Sequence, residues 1–346
     1  MFTSGIFSSL PVTLGIFLVS LLIVIATSAR FTRKLEELCE AFNLSIGVLS
    51  LLSALGANIP NYVSSAIAIF SGHIEFGIGI IVGSNIYNLA IILGLCALLT
   101  PERSGITLDT REKRDVRVIA VYAIFIALLS FLAIACLLIG PVGTAFHASR
   151  PSQPLLPLFS IMALGVFGSL LLHIFRRSHG SEGTTVHHHD FPHRKASLSN
   201  LRLVGEIIFV LVITLGGVLV MVQTGQTLTA DLHMPSVLAG LLVLAVATSL
   251  PNTVVAISLV RSGEAAACIE EVYSSNSINT ALGIVLPLLF WQGIVGDRFL
   301  LMLDAPLTLA LLSLTLLYVL KGRIHRGLGV FLLGAYIAWV LLRFWM

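Results

Sequence analysis

Ten apolar runs, each about as long as a membrane-spanning helix, constrain this chain more than any other feature. A bilayer core of about 30 Å is crossed by about 20 apolar residues in an α-helix. The runs cover residues 9–29, 45–69, 74–99, 116–139, 154–175, 203–223, 235–260, 265–291, 299–320 and 327–345. With 57% hydrophobic and 11% charged residues, the chain is too apolar for a soluble domain. We therefore predict an all-α, polytopic membrane protein with ten transmembrane helices, embedded in the lipid bilayer.

Basic residues are distributed unevenly between the two sides of the predicted bundle. Lys and Arg are enriched in the cytoplasmic loops of membrane proteins. If the N-terminus is outside, all of the 20 Lys and Arg residues except Arg150, Arg298 and Arg343 lie on the inner side. The pattern predicts that both termini are outside. It also accounts for the formal charge of +3 without a nucleic-acid partner.

The two halves of the chain repeat each other at a separation of 191 residues, which is the distance from Pro60 to Pro251. The same shift matches several polar residues, namely Asn61 with Asn252, Ser84 with Ser275, Asn85 with Asn276 and Asn88 with Asn279. Each half holds five predicted spans, so the second must cross the membrane in the opposite sense. The predicted domains are a five-helix repeat at 1–175, a cytoplasmic His-rich linker at 176–202 and an inverted repeat at 203–346. Many secondary transporters have this plan, with the substrate site near the bilayer midplane.

Two motifs, GANIPN and ATSLPN, place a proline inside the second and seventh spans. Proline has no N–H, and its ring clashes with the carbonyl group four residues earlier. Pro60 and Pro251 are therefore expected to break their helices and to free the carbonyl groups near Gly56 and Ala247. Free backbone groups at this depth are tolerated only where they are buried in protein or line a polar cavity.

Polar side chains beside these prolines and on the following spans could form a cation site. Amide, hydroxyl and carbonyl oxygens are the groups that replace water around a hard cation. The alternative is that Ser and Asn only join helices by hydrogen bonds, but their occurrence in both repeats favours the cation site. The predicted ligands are Asn58, Asn61, Ser84, Asn85, Asn88, Thr248, Ser249, Asn252, Ser275, Asn276 and Asn279.

The motifs also resemble those of a known family. GANIPN followed by VGSNIYN, and ATSLPN followed by YSSNSIN, look like the two alpha-repeats of the cation/calcium exchanger superfamily. The usual pattern there is G-T-S-L-P-E and then G-S-N-x-x-N. The resemblance implies a secondary active antiporter that works by alternating access and exchanges calcium with sodium, potassium or protons, without a cofactor. By analogy with the family, the short chain is expected in the plasma (inner) membrane of a prokaryote.

The motifs depart from the family where it has a calcium-binding glutamate, because Asn61 and Asn252 are uncharged. Calcium sites usually include carboxylates, so a neutral site favours monovalent ions. Glu271 could compensate, because it lies inside a span and shares a helix face with Ser275. Alternatively, Glu271 is an interfacial residue paired with Arg261. Three functions stay open: an exchanger of the sodium/calcium type, a neutral-site transporter of monovalent cations or another solute, and a transport-inactive scaffold or sensor.

The polar segment 176–202 contains a run of histidines, His187, His188, His189 and His193. Imidazole nitrogens could bind a transition metal weakly, although such a composition is also typical of a solvated linker. No paired intramembrane aspartates and no nucleophile with a base are present, so the chain is not predicted to be an enzyme. Cys96, Cys136 and Cys268 show no CxxC spacing and are expected to pack as small apolar residues. The sequence does not indicate an oligomeric state.

Overall fold

A computed structural model of the chain describes residues 9–41, 54–102, 104–138, 155–179, 198–290 and 295–346. Across these residues the fold is all-α, with ten helices besides the helical residues 54–57 when each helix that continues through a π-helical segment is taken as one. Eight of the helices in the described ranges are long and apolar enough to cross a membrane. The prediction of an all-α polytopic membrane protein is confirmed.

Each predicted span overlaps one helix, although α1 and α6 extend beyond the predicted ends at 29 and 223, and residues 45–53 of the second span are outside the described residues. In the first half they are α1 (Leu10–Ala41), α2 (Ile59–Phe70), α3 (Ile74–Leu99), α4 (Thr110–Leu138) and α5 (Leu155–His179). In the second half they are α6 (Leu198–Asp231), α7 (Ser236–Arg261), α8 (265–290), α9 (Leu300–Leu320) and α10 (Arg326–Trp345). A short antiparallel ladder pairs β1 (Ile106–Thr107) with β2 (Arg323–Ile324) and joins the loop after α3 to the loop after α9.

Four helices contain a π-helical segment, which the sequence did not predict. The segments are Asn88–Ile92 in α3, Ala239–Leu244 in α7, Asn279–Val285 in α8 and Leu300–Asp304 in α9. Two of them begin at Asn88 and Asn279, which are equivalent positions in the sequence repeat. Gly72 and Gly263, another equivalent pair, both have a φ of +88°. These two pairs of positions therefore share local backbone features, and π-helical turns are frequent at functional sites.

The expected helix break at the second proline motif is wrong. The helical segment Ala245–Arg261 runs through Pro251 without interruption. Proline removes one backbone hydrogen bond, and a long helix whose neighbouring residues Thr248 and Ser249 are buried can absorb that loss with a bend. The irregular part of α7 is instead the π-helical segment that precedes Ala245.

At the first proline motif the helix is interrupted, as predicted. Residues 54–57 form one helical turn, Asn58 leaves the helix with a φ of −92° and a ψ of 0°, and α2 begins with Pro60 in its first turn. The Gly56 carbonyl accepts a hydrogen bond from the Ser28 hydroxyl of α1 at 3.4 Å. Pro60 has no N–H to donate to the Gly56 carbonyl, so a side chain from another helix satisfies that carbonyl instead.

Glycine allows α3 and α7 to approach at backbone distance. A Cβ atom built on Gly83 would lie 2.2 Å from the Leu241 carbonyl oxygen, and one built on Gly240 would lie 2.4 Å from the Phe76 carbonyl oxygen. Small residues commonly permit such contacts between membrane helices. This close approach brings the polar residues of α3 next to those of α7.

Candidate cation site

The polar residues predicted from the two motifs are all buried, and hydrogen bonds join eight of them between α2, α3, α7 and α8. None of the eleven uncharged candidates is more than 5% exposed. We call these residues the polar cluster: Asn58, Asn61, Ser84, Asn85, Asn88, Thr248, Ser249, Asn252, Ser275, Asn276 and Asn279.

Asn58 lies at the centre of the polar cluster and uses its full hydrogen-bonding capacity. Its Nδ2 atom donates to the Ala54 carbonyl at 2.8 Å and to Ser275 Oγ at 2.9 Å. Its Oδ1 atom accepts from Asn252 Nδ2 at 2.8 Å and from Asn61 Nδ2 at 3.3 Å. A carboxamide has two donors and two lone pairs, so Asn58 is saturated. The two asparagines that replace the family's glutamates therefore meet at one oxygen atom.

A second group of hydrogen bonds joins α3 to α8. Asn88 Nδ2 donates to Asn276 Oδ1 at 2.9 Å, and Asn276 Nδ2 donates to the Asn85 carbonyl at 3.2 Å. Asn85 Nδ2 donates to Thr280 Oγ1 at 2.8 Å. Thr280 was missed from the sequence because its equivalent in the first repeat is the apolar Leu89. The sequence feature that could have indicated Thr280 is a polar residue directly after Asn279 in an otherwise apolar run.

Two hydroxyl groups of the polar cluster are oriented toward backbone carbonyls. Ser84 Oγ lies 3.3 Å from Asn61 Oδ1 and 3.4 Å from the Ala245 carbonyl, so it links α3 to both α2 and α7. Thr248 Oγ1 donates to the Leu244 carbonyl of its own helix at 2.7 Å. Thr248 can therefore offer only its remaining lone pairs to another group.

Several buried oxygen atoms in this region have no hydrogen-bond partner among the described residues. A buried polar atom without a partner costs about 1–3 kcal/mol, and in native proteins such atoms are usually satisfied by water or an ion. Neutral oxygens of this kind are suitable ligands for a hard cation. The atoms are Asn85 Oδ1, Asn88 Oδ1, Asn252 Oδ1, Asn279 Oδ1, Ser249 Oγ and Ser64 Oγ. Ser64 was not predicted, because its equivalent in the second repeat is Val255.

Glu271 is hydrogen-bonded to the polar cluster through Ser275. Ser275 Oγ donates to Glu271 Oε1 at 2.9 Å, and the same hydroxyl oxygen accepts a hydrogen bond from Asn58. Glu271 is partly buried, whereas Arg261 is exposed at the end of α7. Glu271 therefore brings a carboxylate into hydrogen-bond contact with the polar cluster. This geometry favours the pocket interpretation over an interfacial pair with Arg261.

Two further features concern metal binding and surface clefts. The histidines at 187–193 are outside the described residues. Within the described residues, no group of three His, Cys, Asp or Glu side chains could hold a metal ion. A cleft of about 350 Å³ between α1 and α6 includes Arg30, Lys34 and Phe209 in its lining and shares no residue with the polar cluster.

The fold and the buried polar cluster define a polytopic membrane protein of the transporter type. The profile of the family described as "Sodium/calcium exchanger protein" matches residues 12–176 and 202–345. The chain therefore belongs to the sodium/calcium exchanger family. This is a family of transporters, in agreement with the prediction that the chain is not an enzyme.

Known proteins match over shorter segments or at low identity. Sodium/potassium/calcium exchanger 4 of Mus musculus is 38% identical over 69 residues, which are 20% of this chain and 11% of that protein. Sodium/potassium/calcium exchanger 2 of Gallus gallus is 30% identical over 95 residues, which are 27% of this chain and 15% of that protein. The matches thus span a small part of these relatives. A structure of the sodium-calcium exchanger NCX_Mj, soaked with 10 mM Na+ and zero Ca2+, aligns with a TM-score of 0.58 at 21% identity. It covers 94% of this chain and 97% of that one, and shows a similar fold.

Proposed function

We propose that the chain is a secondary active cation antiporter of the sodium/calcium exchanger type, with its cation site in the polar cluster. The observation that carries the proposal is the meeting of both repeat motifs in one buried group of amides and hydroxyls, several of whose oxygens lack partners among the described residues. The relatives named above are exchangers of sodium, potassium and calcium, which supports the same class of activity. The two halves, 1–175 and 203–346, form inverted repeats around a site near the bilayer midplane.

Alternating access requires the site to open to one side of the membrane at a time. The polar cluster is closed in this structure, since its members are at most 5% exposed. Two sets of hydrogen bonds join the halves: Asn58 to Ser275 and Asn252, and Asn88 to Asn276. Opening toward either side must break or rearrange one of these sets. A bound cation would replace the lost contacts by bridging oxygens from both halves.

Charge balance decides which cation suits the site. A buried ion is stable only if the surrounding groups compensate its charge. Glu271 supplies one negative charge, and Asn61 and Asn252 supply none. A monovalent cation beside ionised Glu271 gives a neutral site, whereas Ca2+ leaves one uncompensated positive charge. This balance supports the second candidate function, a transporter of monovalent cations, in which a proton on Glu271 could replace the cation.

A third candidate is a transport-inactive membrane scaffold or sensor. Asn58 is saturated by contacts to both halves, and such contacts could hold the polar cluster closed permanently. The flux measurement below separates this candidate from the two transporters.

The test is transport by the purified protein in liposomes under imposed gradients of sodium, potassium, calcium and protons. Calcium uptake that is driven by a sodium, potassium or proton gradient, and abolished in Glu271→Gln, supports the sodium/calcium type. Monovalent flux that is independent of calcium and lost in Asn252→Ala supports the neutral-site transporter. Glu264→Gln is the matched control, because Glu264 is exposed at the start of the same helix as Glu271. Folded protein without flux of any of these ions contradicts both transporter candidates.

A further inference from the structure

Two cysteines from opposite halves of the chain touch each other outside the polar cluster. Cys268 Sγ lies 2.9 Å from Cys96 Sγ, and both side chains are fully buried. Nonbonded carbon atoms pack at about 3.5–4.0 Å, and sulfur is larger than carbon. The two sulfur atoms are therefore closer than apolar packing requires. Burial agrees with the expectation that these residues are small and apolar, but the contact between them was not predicted.

Both cysteines lie in regular α-helical segments. Cys96 lies in the last helical segment of α3, Leu93–Leu99, and Cys268 lies in the first turn of α8, where its N–H donates to the Glu264 carbonyl at 3.2 Å. Both cysteines belong to the main apolar core. A bond between the sulfur atoms would require only a small movement of two side chains, because the helices already hold them side by side.

We propose that Cys96 and Cys268 are an oxidative modification site, at which a disulfide bond ties α3 of the first half to α8 of the second. The oxidant is a small-molecule disulfide. One protein thiolate attacks a sulfur of that oxidant and displaces one small thiol; the second protein thiol then displaces the other. One protein disulfide forms, two small thiols leave with the two protons, and the oxidant is reduced by two electrons.

The thiol pair lies next to a partly exposed stretch of α8. The residues that precede Cys268 in α8, Ala265, Ala266 and Ala267, are only partly buried. Glu271, one turn further along the same helix, is also partly buried. The thiol pair thus lies beneath the partly exposed beginning of α8. The disulfide would close a loop between residues 172 positions apart, and long loops are where a cross-link constrains the unfolded chain most.

The distribution of cysteines makes the test unambiguous. Of the four cysteines, Cys39, Cys96 and Cys136 precede the 176–202 linker, and Cys268 alone follows it. Any intramolecular disulfide between the halves must therefore include Cys268. The proposal does not depend on transport, so it can succeed or fail separately from the proposed function.

The experiment uses the full chain in detergent, treated with oxidised glutathione and then with N-ethylmaleimide to block the remaining thiols. Peptide mass spectrometry without reduction is expected to detect a peptide of Cys96 joined to a peptide of Cys268, and this species should disappear after reduction. Recovery of both cysteines as maleimide adducts, or of Cys268 joined to Cys39 or Cys136, overturns the proposal. Because it uses the unaltered chain, this measurement does not depend on a variant that folds.

Thermal unfolding provides a second readout. Oxidation is expected to raise the Tm of the unaltered protein by several degrees and to leave the Tm of Cys268→Ala unchanged. Cys136→Ala is the matched control, since it removes a thiol outside the pair and should keep the shift. An equal shift in Cys268→Ala would show that another modification is responsible and would contradict the proposal.

Discussion

Asn58 and its repeat partner Ser249 have different roles in the polar cluster. Asn58 hydrogen-bonds to residues of both halves, whereas Ser249 Oγ has no partner among the described residues. The longer carboxamide reaches Ser275 and Asn252, which a hydroxyl at the same position would not reach. The motifs identified the residues that gather at this site. They could not identify Asn58 as its centre, because that depends on how far each side chain extends across the interface.

The saturated hydrogen bonds of Asn58 predict that Asn58→Ala is strongly destabilising. The substitution leaves the amide groups of Asn61 and Asn252 without their acceptor, and each buried unpaired group costs about 1–3 kcal/mol. Ser64→Ala is the matched control, because Ser64 is equally buried and its Oγ has no partner among the described residues. Thermal unfolding in detergent is expected to show a clear loss of Tm for Asn58→Ala and little change for Ser64→Ala. Equal changes would show that Asn58 is not the central contact.

Restoring the family's two glutamates is expected to strengthen calcium binding. In Asn61→Glu/Asn252→Glu, two carboxylates would repel each other in a buried site until a divalent ion neutralised them. Calcium should therefore raise the Tm of this variant. Calcium at 100 times its Kd would add about 2.7 kcal/mol to the free energy of unfolding. The control, Asn61→Gln/Asn252→Gln, has the same side-chain length without charge and should respond less to calcium. An equal calcium response in the two variants would contradict the charge argument.

At the scale of the helices, the sequence predicted positions better than it predicted irregularities. The spans at 74–99 and 299–320 agree with α3 and α9, because apolar runs bounded by polar residues mark helix ends directly. The proline at 251 was a misleading signal, since one missing N–H does not end a helix that other residues hold in place. The π-helical turns at Asn88 and Asn279 have no residue signature of their own. They depend on how α3 and α8 pack, which composition does not specify.

The contact between α3 and α7 predicts a severe effect for Gly83→Ala. The added Cβ would meet the Leu241 carbonyl oxygen and the Ala245 side chain, and neither can move without shifting a helix. Overpacking of this kind costs about 1–3 kcal/mol or more. The matched control is Gly165→Ala in α5, where a Cβ meets nothing within 4 Å. Because alanine favours helix over glycine by about 1 kcal/mol, the control should keep or raise the Tm. A loss of Tm in the control as large as that in Gly83→Ala would contradict close packing at Gly83.

For the whole molecule, composition and repetition carried most of the prediction. The apolar runs required a bundle of membrane helices, and the repeated Pro and Asn residues indicated that α2, α3, α7 and α8 would share one site. The contact between Cys96 and Cys268 could not be predicted in this way. Their repeat partners, Pro287 and Gly77, are not cysteines, so the repeat contains no signal for the pair. Only the packing of α3 on α8 brings the two thiols together.

The sidedness of the basic residues leads to a prediction for the whole chain, that both termini lie outside and the 176–202 linker lies inside. In a bacterial host, alkaline phosphatase fused after Met346 is expected to be active, and green fluorescent protein fused at the same position is expected to be dark. The same reporters inserted in the linker should give the opposite results. Five crossings separate the linker from each terminus in the proposed repeats. If the results at the two positions are exchanged, the orientation is the reverse of the predicted one, but the inverted repeats remain. Equal results at both positions would require an even number of crossings between them and would rule out two inverted five-helix halves.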